Sequence, residues 1–259
     1  MSKPSTQRLF PITIDTLCIT AHERPLLTDI KCHIYTEGIT VIMGPNGAGK
    51  SLLMRCIHGL HQPQSGRIEF DGRPLDETII KRQSFVFQTP TVLRRTVYEN
   101  LIFVARLRPE ICTEAADQLL KEMRLEHLRD QPARLLSSGE KQRLAMARAL
   151  LTAPELLLMD EATANLDPAS LQIIEAGLHT AVSKGLKIIV VTHDIGQARR
   201  LAQDVLFLNS GRLSEHTLAD SFFTAPHSAA AAAYLRGELT ATDKSLCKNE
   251  ENSDETTKR

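Results

Sequence analysis

At 259 residues the chain is long enough to bury one large core or two small ones. Its 31 Lys and Arg balance 31 Asp and Glu, and only 4% of residues are aromatic, which argues against the basic, base-stacking composition of a nucleic-acid binder. Five scattered cysteines, odd in number and without a CxxC pair, fit neither a disulfide framework nor a zinc site and suit a reducing compartment.

The start, MSKPSTQRLFPITI, lacks the apolar core of a secretion signal. No run approaches the ~18 apolar residues of a spanning helix, so a role at a membrane requires another chain to provide the span. From Leu9 to Tyr35 apolar and polar residues alternate around Ile12 and Ile14 and again over Ile30–Ile34, on either side of a loop at His22 to Pro25. That pattern predicts an antiparallel layer.

The apolar run Ile39-Thr40-Val41-Ile42-Met43 then reads as a buried strand entering Gly44-Pro45-Asn46-Gly47-Ala48-Gly49-Lys50-Ser51-Leu52. This is the G-x-x-x-x-G-K-[ST] pattern of a phosphate-binding loop. Gly44, Gly47 and Gly49 carry no Cβ, so backbone N–H groups can curl around an anion. Lys50 adds a point charge for the β- and γ-phosphates, and the Ser51 hydroxyl can ligate Mg²⁺. The helix predicted over Ser51–His58, with Gly59 just past its end, contributes its positive pole.

Gly66–Phe70 with the Asp71-Gly72 turn reads as an edge strand, and Ser84–Gln88 as a buried strand ending in a polar residue. From about 89 to 135 the composition turns helical, with segments at Val97–Leu107 and Thr113–Leu125, the second capped by Thr113; this reads as an inserted helical subdomain. Leu136-Ser137-Ser138-Gly139-Glu140-Lys141-Gln142-Arg143 opens a helix running through Leu151. Its small hydroxyl residues and glycine make either a second anion site or a plain N-cap by Ser137 or Ser138.

Leu156–Met159 is suited to a central parallel strand and delivers Asp160 and Glu161 to its carboxyl end. Asp160 suits a metal and Glu161 the polarisation of an attacking water. Asp167-Pro168 opens a helix with Leu171, Ile174, Leu178 and Val182 on one face, ended by Gly185. Ile188–Val191 and Val205–Leu208 read as further strands, Asn209-Ser210-Gly211 as a turn and Ser228–Leu235 as the last helix. Residues 1–237 therefore form the folded domain, and the polar tail 238–259 reads as disordered.

The order GPNGAGKS, Gln88, LSSGE, LLLMDE, NLD and His193 after a buried strand resembles the nucleotide-binding subunit of ABC transporters. The resemblance implies an α/β fold: a P-loop NTPase core of ABC type with an antiparallel β subdomain and an inserted helical subdomain. It further implies a dimer of two copies with two ATP molecules between them, each held by one copy's phosphate loop and the other copy's Ser137 and Gly139. Gln88 would sense Mg²⁺ and water, Asn165-Leu166-Asp167 would cross the dimer interface, and His193 would contact the γ-phosphate. The implied partners are integral membrane permease subunits and, indirectly, a substrate-binding protein, with no nucleic acid. The implied location is the cytoplasmic face of the membrane, held there through the permease.

Four departures from the family pattern stand out. Ser138 replaces a glycine and Glu140 a glutamine, which brings a carboxylate toward the γ-phosphate unless Lys141 or Arg143 screens it. Ala162 replaces a proline. No aromatic stands near Ala21 to stack on the base, leaving His22 as the candidate. The stretches GITVIMGPNGAGKSLLMRCIHGL, FQTPTVLRRTV, THDIGQARRLA and FFTAP…AYLRGEL resemble the ATPase subunits of tungstate-uptake importers, with phosphate, molybdate and amino-acid importers as alternatives. Thr91 to Asn100, with Val92 and Leu93, is the candidate surface for a permease helix. A soluble ABC ATPase acting on nucleic acid or ribosomes would bring a tandem domain or coiled coil and a basic face. A GTPase or kinase would leave LSSGE and His193 unexplained.

Overall fold

The continuous apolar runs fold as inner strands of a six-stranded sheet: in β3 (Ile39–Met43), β7 (Leu156–Asp160) and β8 (Lys187–Val191) every residue is buried. Side chains on a strand alternate between faces, so these strands feed two cores. Val41, Met43, Leu157, Met159, Ile188 and Val190 enter one; Ile42, Leu156, Leu158, Ile189 and Val191 enter the other. A one-residue slip would exchange the two sets across the sheet, which pins the register.

The computed structural model describes residues 8–35, 38–107 and 113–238. Adding β6 (Gln83–Val86), β9 (Asp204–Asn209) and β10 (Arg212–Leu218) gives the strand order β10-β9-β3-β8-β7-β6. All neighbours are parallel except β10, which turns back antiparallel on β9. A separate antiparallel sheet has the order β2-β1-β4-β5, from β1 (Ile12–Ala21), β2 (Arg24–Ile34), β4 (Ser65–Phe70) and β5 (Arg73–Pro74). It packs with α1 (Lys50–His58) over one face of the large sheet.

The other face is covered by α5 (Ser138–Leu151) and α6 (Pro168–Ser183), with α3 (Val97–Leu107) and α4 (Glu114–Glu122) packed against α5. Val97, Leu101 and Leu120 share a core there with Val41 and Leu157.

Several expectations are corrected. The hairpin between β1 and β2 needs only His22 and Glu23, both at positive φ (48° and 62°), so the loop is shorter than the sequence suggested. The 65–70 strand is not an edge, because two-residue β5 lies outside it. The strand through Phe85 stops at Val86, leaving Gln88 in the following loop. Thr113 has helical backbone angles and makes no side-chain cap, so α4 starts without that support. The sequence pattern also missed α2 (Glu77–Ile80), α7 (Ile195–Leu201), β10 and α8 (Ala219–Thr224). The last helix, α9 (Ala229–Leu235), is present and is capped by Ser228. The predicted disordered tail lies outside the described residues apart from Glu238.

Parallel strands all end on the same side, so the loops after Met43, Val86, Asp160 and Val191 open along one edge of the sheet. That edge is where ligands bind in sheets of this kind.

Candidate functional site

The phosphate loop owes its shape to what surrounds it. Gly44 has φ 144°, and a Cβ there would lie 2.0 Å from the Leu208 carbonyl oxygen. A Cβ on Gly49, φ 96°, would lie 2.5 Å from Leu27 Cδ2, whereas Gly47 faces open space. The first and last glycines are thus required by β9 and β2, and Gly47 is left at the accessible crest beside exposed Asn46, with Pro45 half-buried and Ala48 buried beneath. Gly49 caps α1 without a side-chain hydrogen bond and no acidic residue sits in the first turn, so the helix presents free N–H groups and its positive pole to the loop.

Lys50 is buried at 5% exposure and folds back on the loop, its Nζ donating to the carbonyl oxygens of Gly44 and Pro45, both at 2.9 Å. Burial pulls its pKa below the usual lysine range, while Glu161 and Asp160 pull it back up. A desolvated cation held against neutral carbonyls gains from an arriving anion. The next residue, Ser51, donates its hydroxyl to Asp160 Oδ1 at 2.6 Å, and Arg55 lies 3.8 Å from the other carboxylate oxygen. Leu52 is half-buried on α1.

Hydroxyl and carboxylate oxygens side by side suit Mg²⁺, which is commonly held by one or two protein oxygens plus substrate phosphates. No cluster of three or more His, Cys, Asp or Glu able to hold a metal occurs among the described residues. Gln88, the third predicted metal residue, makes its contact elsewhere.

That contact is with Glu161. Gln88 Nε2 lies 3.5 Å and His193 Nδ1 3.4 Å from the same Glu161 Oε2. The loops after β6, β7 and β8 therefore bring together the three residues assigned a catalytic role from sequence. Glu161 has φ 46°, an uncommon conformation for a non-glycine residue, held by its N–H to the Val191 carbonyl and by Ala164 N–H to its own carbonyl, both at 3.0 Å.

The LSSGE segment forms a capping box. Ser137 Oγ accepts from Glu140 N–H at 3.3 Å, and Glu140 Oε2 accepts from Ser137 N–H at 2.7 Å. The Glu140 carboxylate is thereby turned back onto its own helix start. The Arg143 guanidinium donates to the carbonyls of Met123 and Arg124 at 2.8 and 3.2 Å, so it makes no hydrogen bond to Glu140, although the two charges still attract. Ser138 is the first residue of α5 and exposed. A Cβ on Gly139 would lie 2.3 Å from Ser170 Oγ and 2.8 Å from Asp167 Oδ2, so the segment rests on the start of α6 in the same chain. Asp167 caps α6 by accepting from Ser170 N–H at 2.9 Å, and that bond holds its carboxyl below the usual range. His22 is exposed at the tip of the β1–β2 hairpin.

Near the predicted permease surface, a cleft of about 310 Å³ is walled by Phe85, Phe87, Thr91, Val104 and Arg148. Arg148 Nη1 donates to the Thr91 carbonyl at 2.7 Å. Buried Asn100 holds Leu93, accepting from its N–H at 2.9 Å. The exposed apolar group here is Phe87, at 47%, whereas Val92 packs onto the core. A cavity of about 730 Å³ lies at the opposite edge of the sheet around Tyr35, Lys187, Asp204 and His216, away from the phosphate loop.

Sequence reasoning missed a polar chain behind Glu161. Thr163 Oγ1 donates to Gln197 Oε1 at 2.8 Å, Gln197 Nε2 to Glu175 Oε1 at 3.4 Å, and Arg200 binds Glu175 through two nitrogens at 2.8 and 3.0 Å.

Residues 27–164 match the family described as "ABC transporter". The chain is 39% identical over 202 residues to the tungstate uptake system ATP-binding protein TupC of Peptoclostridium acidaminophilum, covering 75% of this chain and 92% of that protein. It is 32% identical over 251 residues to phosphate import ATP-binding protein PstB 1 of Vibrio cholerae serotype O1, covering 90% of this chain and 92% of that one. Among solved structures, cbiO1 from Clostridium perfringens, part of the ABC transporter complex cbiONQ, superposes with a TM-score of 0.74 at 30% identity, over 83% of this chain and 91% of that chain.

Proposed function

The chain belongs to the ABC transporter family, whose ATPases bind and hydrolyse ATP, and from that premise we propose that it energises an importer that takes up tungstate. The observation that carries the hydrolytic part is the convergence of Gln88 and His193 on one carboxylate oxygen of Glu161. In this reading Glu161 accepts the proton of the attacking water and His193 and Gln88 orient the water and the γ-phosphate. The loop from Gly44 to Ser51 holds the triphosphate through N–H groups and Lys50. Ser51 and Asp160 would hold Mg²⁺, whose charge would neutralise the phosphate oxygens, and Gln88, which contacts Glu161, would reach it only from there.

A helix N-terminus stripped of competing side-chain caps is half of an anion site; the other half is assigned to Ser137–Glu140 of a second copy of the chain. The capping box leaves this helix start capped by Ser137 and by the Glu140 carboxylate, so in this reading the incoming phosphate displaces Glu140 from Ser137 N–H. ATP binding then closes the dimer and hydrolysis releases it. The cleft beside Phe87 and Thr91 is assigned to a helix of an integral membrane permease, which receives its cargo from a substrate-binding protein. No helix among the described residues is long and apolar enough to cross a membrane, and the chain is assigned to the cytoplasmic face through that permease.

Tungstate is favoured by the 39% identity to the tungstate relative, and phosphate by the greater share of the chain that aligns to the phosphate-import relative, 90% against 75%. Cellular tungsten, molybdenum and phosphate uptake, compared between the native chain and Lys50→Ala, separates them. The tungstate reading predicts loss of tungsten uptake with phosphate uptake retained. Equal tungsten uptake removes the cargo assignment without touching the ATPase, and selective loss of phosphate uptake establishes the second reading.

A further inference from the structure

We infer that Gln197 is a positioning residue for hydrolysis, a buried amide that holds the loop behind Glu161 in register with the helices following His193 and Asp167. The inference rests on the proposed role of Glu161 and extends it to residues outside the site.

Gln197 is only 2% exposed and lies in α7, which begins two residues after His193. Its hydrogen bonds can run in one sense only. Glu175, 9% exposed on α6, is already bound by Arg200 through Nε and Nη2, so its charged carboxylate accepts. Gln197 must therefore turn Nε2–H toward Glu175 and Oε1 toward Thr163, and the Thr163 hydroxyl must donate. An amide with both ends committed cannot rotate without losing a buried hydrogen bond.

The three anchored elements are those that carry the chemistry. Thr163 is two residues past Glu161, in the turn closed by Ala164 N–H on the Glu161 carbonyl. Glu175 sits on the helix capped by Asp167. His193 lies between Thr192, whose Oγ1 accepts from Asp194 N–H at 3.1 Å, and Asp194, whose Oδ1 accepts from Gln197 N–H at 3.0 Å. Glu161, Thr163, His193 and Gln197 also wall one small cavity of about 130 Å³. With Glu161 at φ 46°, an unsupported loop would relax toward an ordinary backbone conformation and carry the carboxylate away from His193.

The test is steady-state ATP hydrolysis by the dimer-competent protein carrying Thr163→Val, Thr163→Ser or Gln197→Leu, each assayed well below its melting midpoint, with Glu161→Gln alongside. Thr163→Val keeps the shape of a half-buried side chain and removes only the donor, so it reports even where Gln197→Leu fails to fold. The expected result is a kcat lower by roughly 5- to 50-fold for Thr163→Val and Gln197→Leu, as for a displaced catalytic group. KM for ATP should stay within about twofold, because the phosphate loop is untouched. Thr163→Ser, which retains the hydroxyl, should recover more than half of the native kcat. Native kcat in Thr163→Val, a loss confined to KM, or equal impairment by serine and valine would overturn the inference. A dead Glu161→Gln beside a fully active Thr163→Val sinks this inference alone; an active Glu161→Gln sinks the assignment on which it rests.

Discussion

Replacing Glu140 tests how a carboxylate is accommodated in a segment assigned to face ATP. In Glu140→Ala the Ser137 N–H loses its 2.7 Å partner and α5 loses the acidic residue of its first turn. Loss of the cap costs about 0.5–1 kcal/mol and loss of the charge near the helix start about 0.3–1. Together these amount to about 1–2 kcal/mol, which in a chain of this size lowers the melting midpoint by roughly 2–8 °C. Glu140→Gln keeps an acceptor in the capping box and loses only the charge, so its midpoint should fall by about 1–4 °C. Because the carboxylate already turns back onto Ser137, ATP turnover by Glu140→Gln in the assembled transporter should equal or exceed that of the native chain. Scanning calorimetry and a phosphate-release assay on the three proteins give both quantities. Glutamine as destabilising as alanine would show that the side chain does not cap. Loss of turnover at near-native stability would show that the carboxylate itself is needed at the nucleotide.

Lys50→Ala removes the one buried cation of the phosphate loop; ATP affinity should fall by roughly 10- to 100-fold, the value of a charge-assisted hydrogen bond or two, in a calorimetric titration. Unchanged affinity would contradict its placement on the phosphates. At the other edge of the sheet, burial works against the charge of Asp204, but hydrogen bonds from His216 and Thr40, both at 2.7 Å, outweigh it and hold the carboxyl below its usual range. A carboxylate with a depressed folded pKa stabilises above its unfolded value, about 3.9, and that stability is lost as pH falls through the folded value. Asp204→Asn should therefore cost about 2–3 kcal/mol in denaturant unfolding at pH 7, with the gap closing below about pH 4. A gap that persists unchanged into acid would mean that the charge is not its source.

The parts of this fold that can be read from the sequence are those fixed by neighbours in the chain. Strands β3, β7 and β8 announce themselves as unbroken apolar runs because both faces are covered, and the glycines of the phosphate loop because no other residue allows its turns. Strand β10, RLSEHTL, has no such signature: its one buried residue is Glu215, whose carboxylate accepts from His227 and Ser228 N–H and so orders the approach to α9. Helix α7 is seven residues long and buries Gln197, a polar residue where periodicity looks for an apolar one. The serine-to-glutamate spacing of the capping box is legible in Ser137 to Glu140, yet the direction of the carboxylate is set only once the helix start has folded. The chain from Thr163 through Gln197 to Glu175 spans 34 and 22 residues of sequence and exists only once α6 and α7 are packed together.

The central claim, that Glu161 performs the hydrolytic step in a site completed by a second copy of the chain, is tested most directly by Glu161→Gln with ATP present. Light scattering and phosphate release measured on one sample should show ATP bound, a dimer that persists and turnover at background. Native turnover, or a protein that binds ATP and stays monomeric, would contradict it.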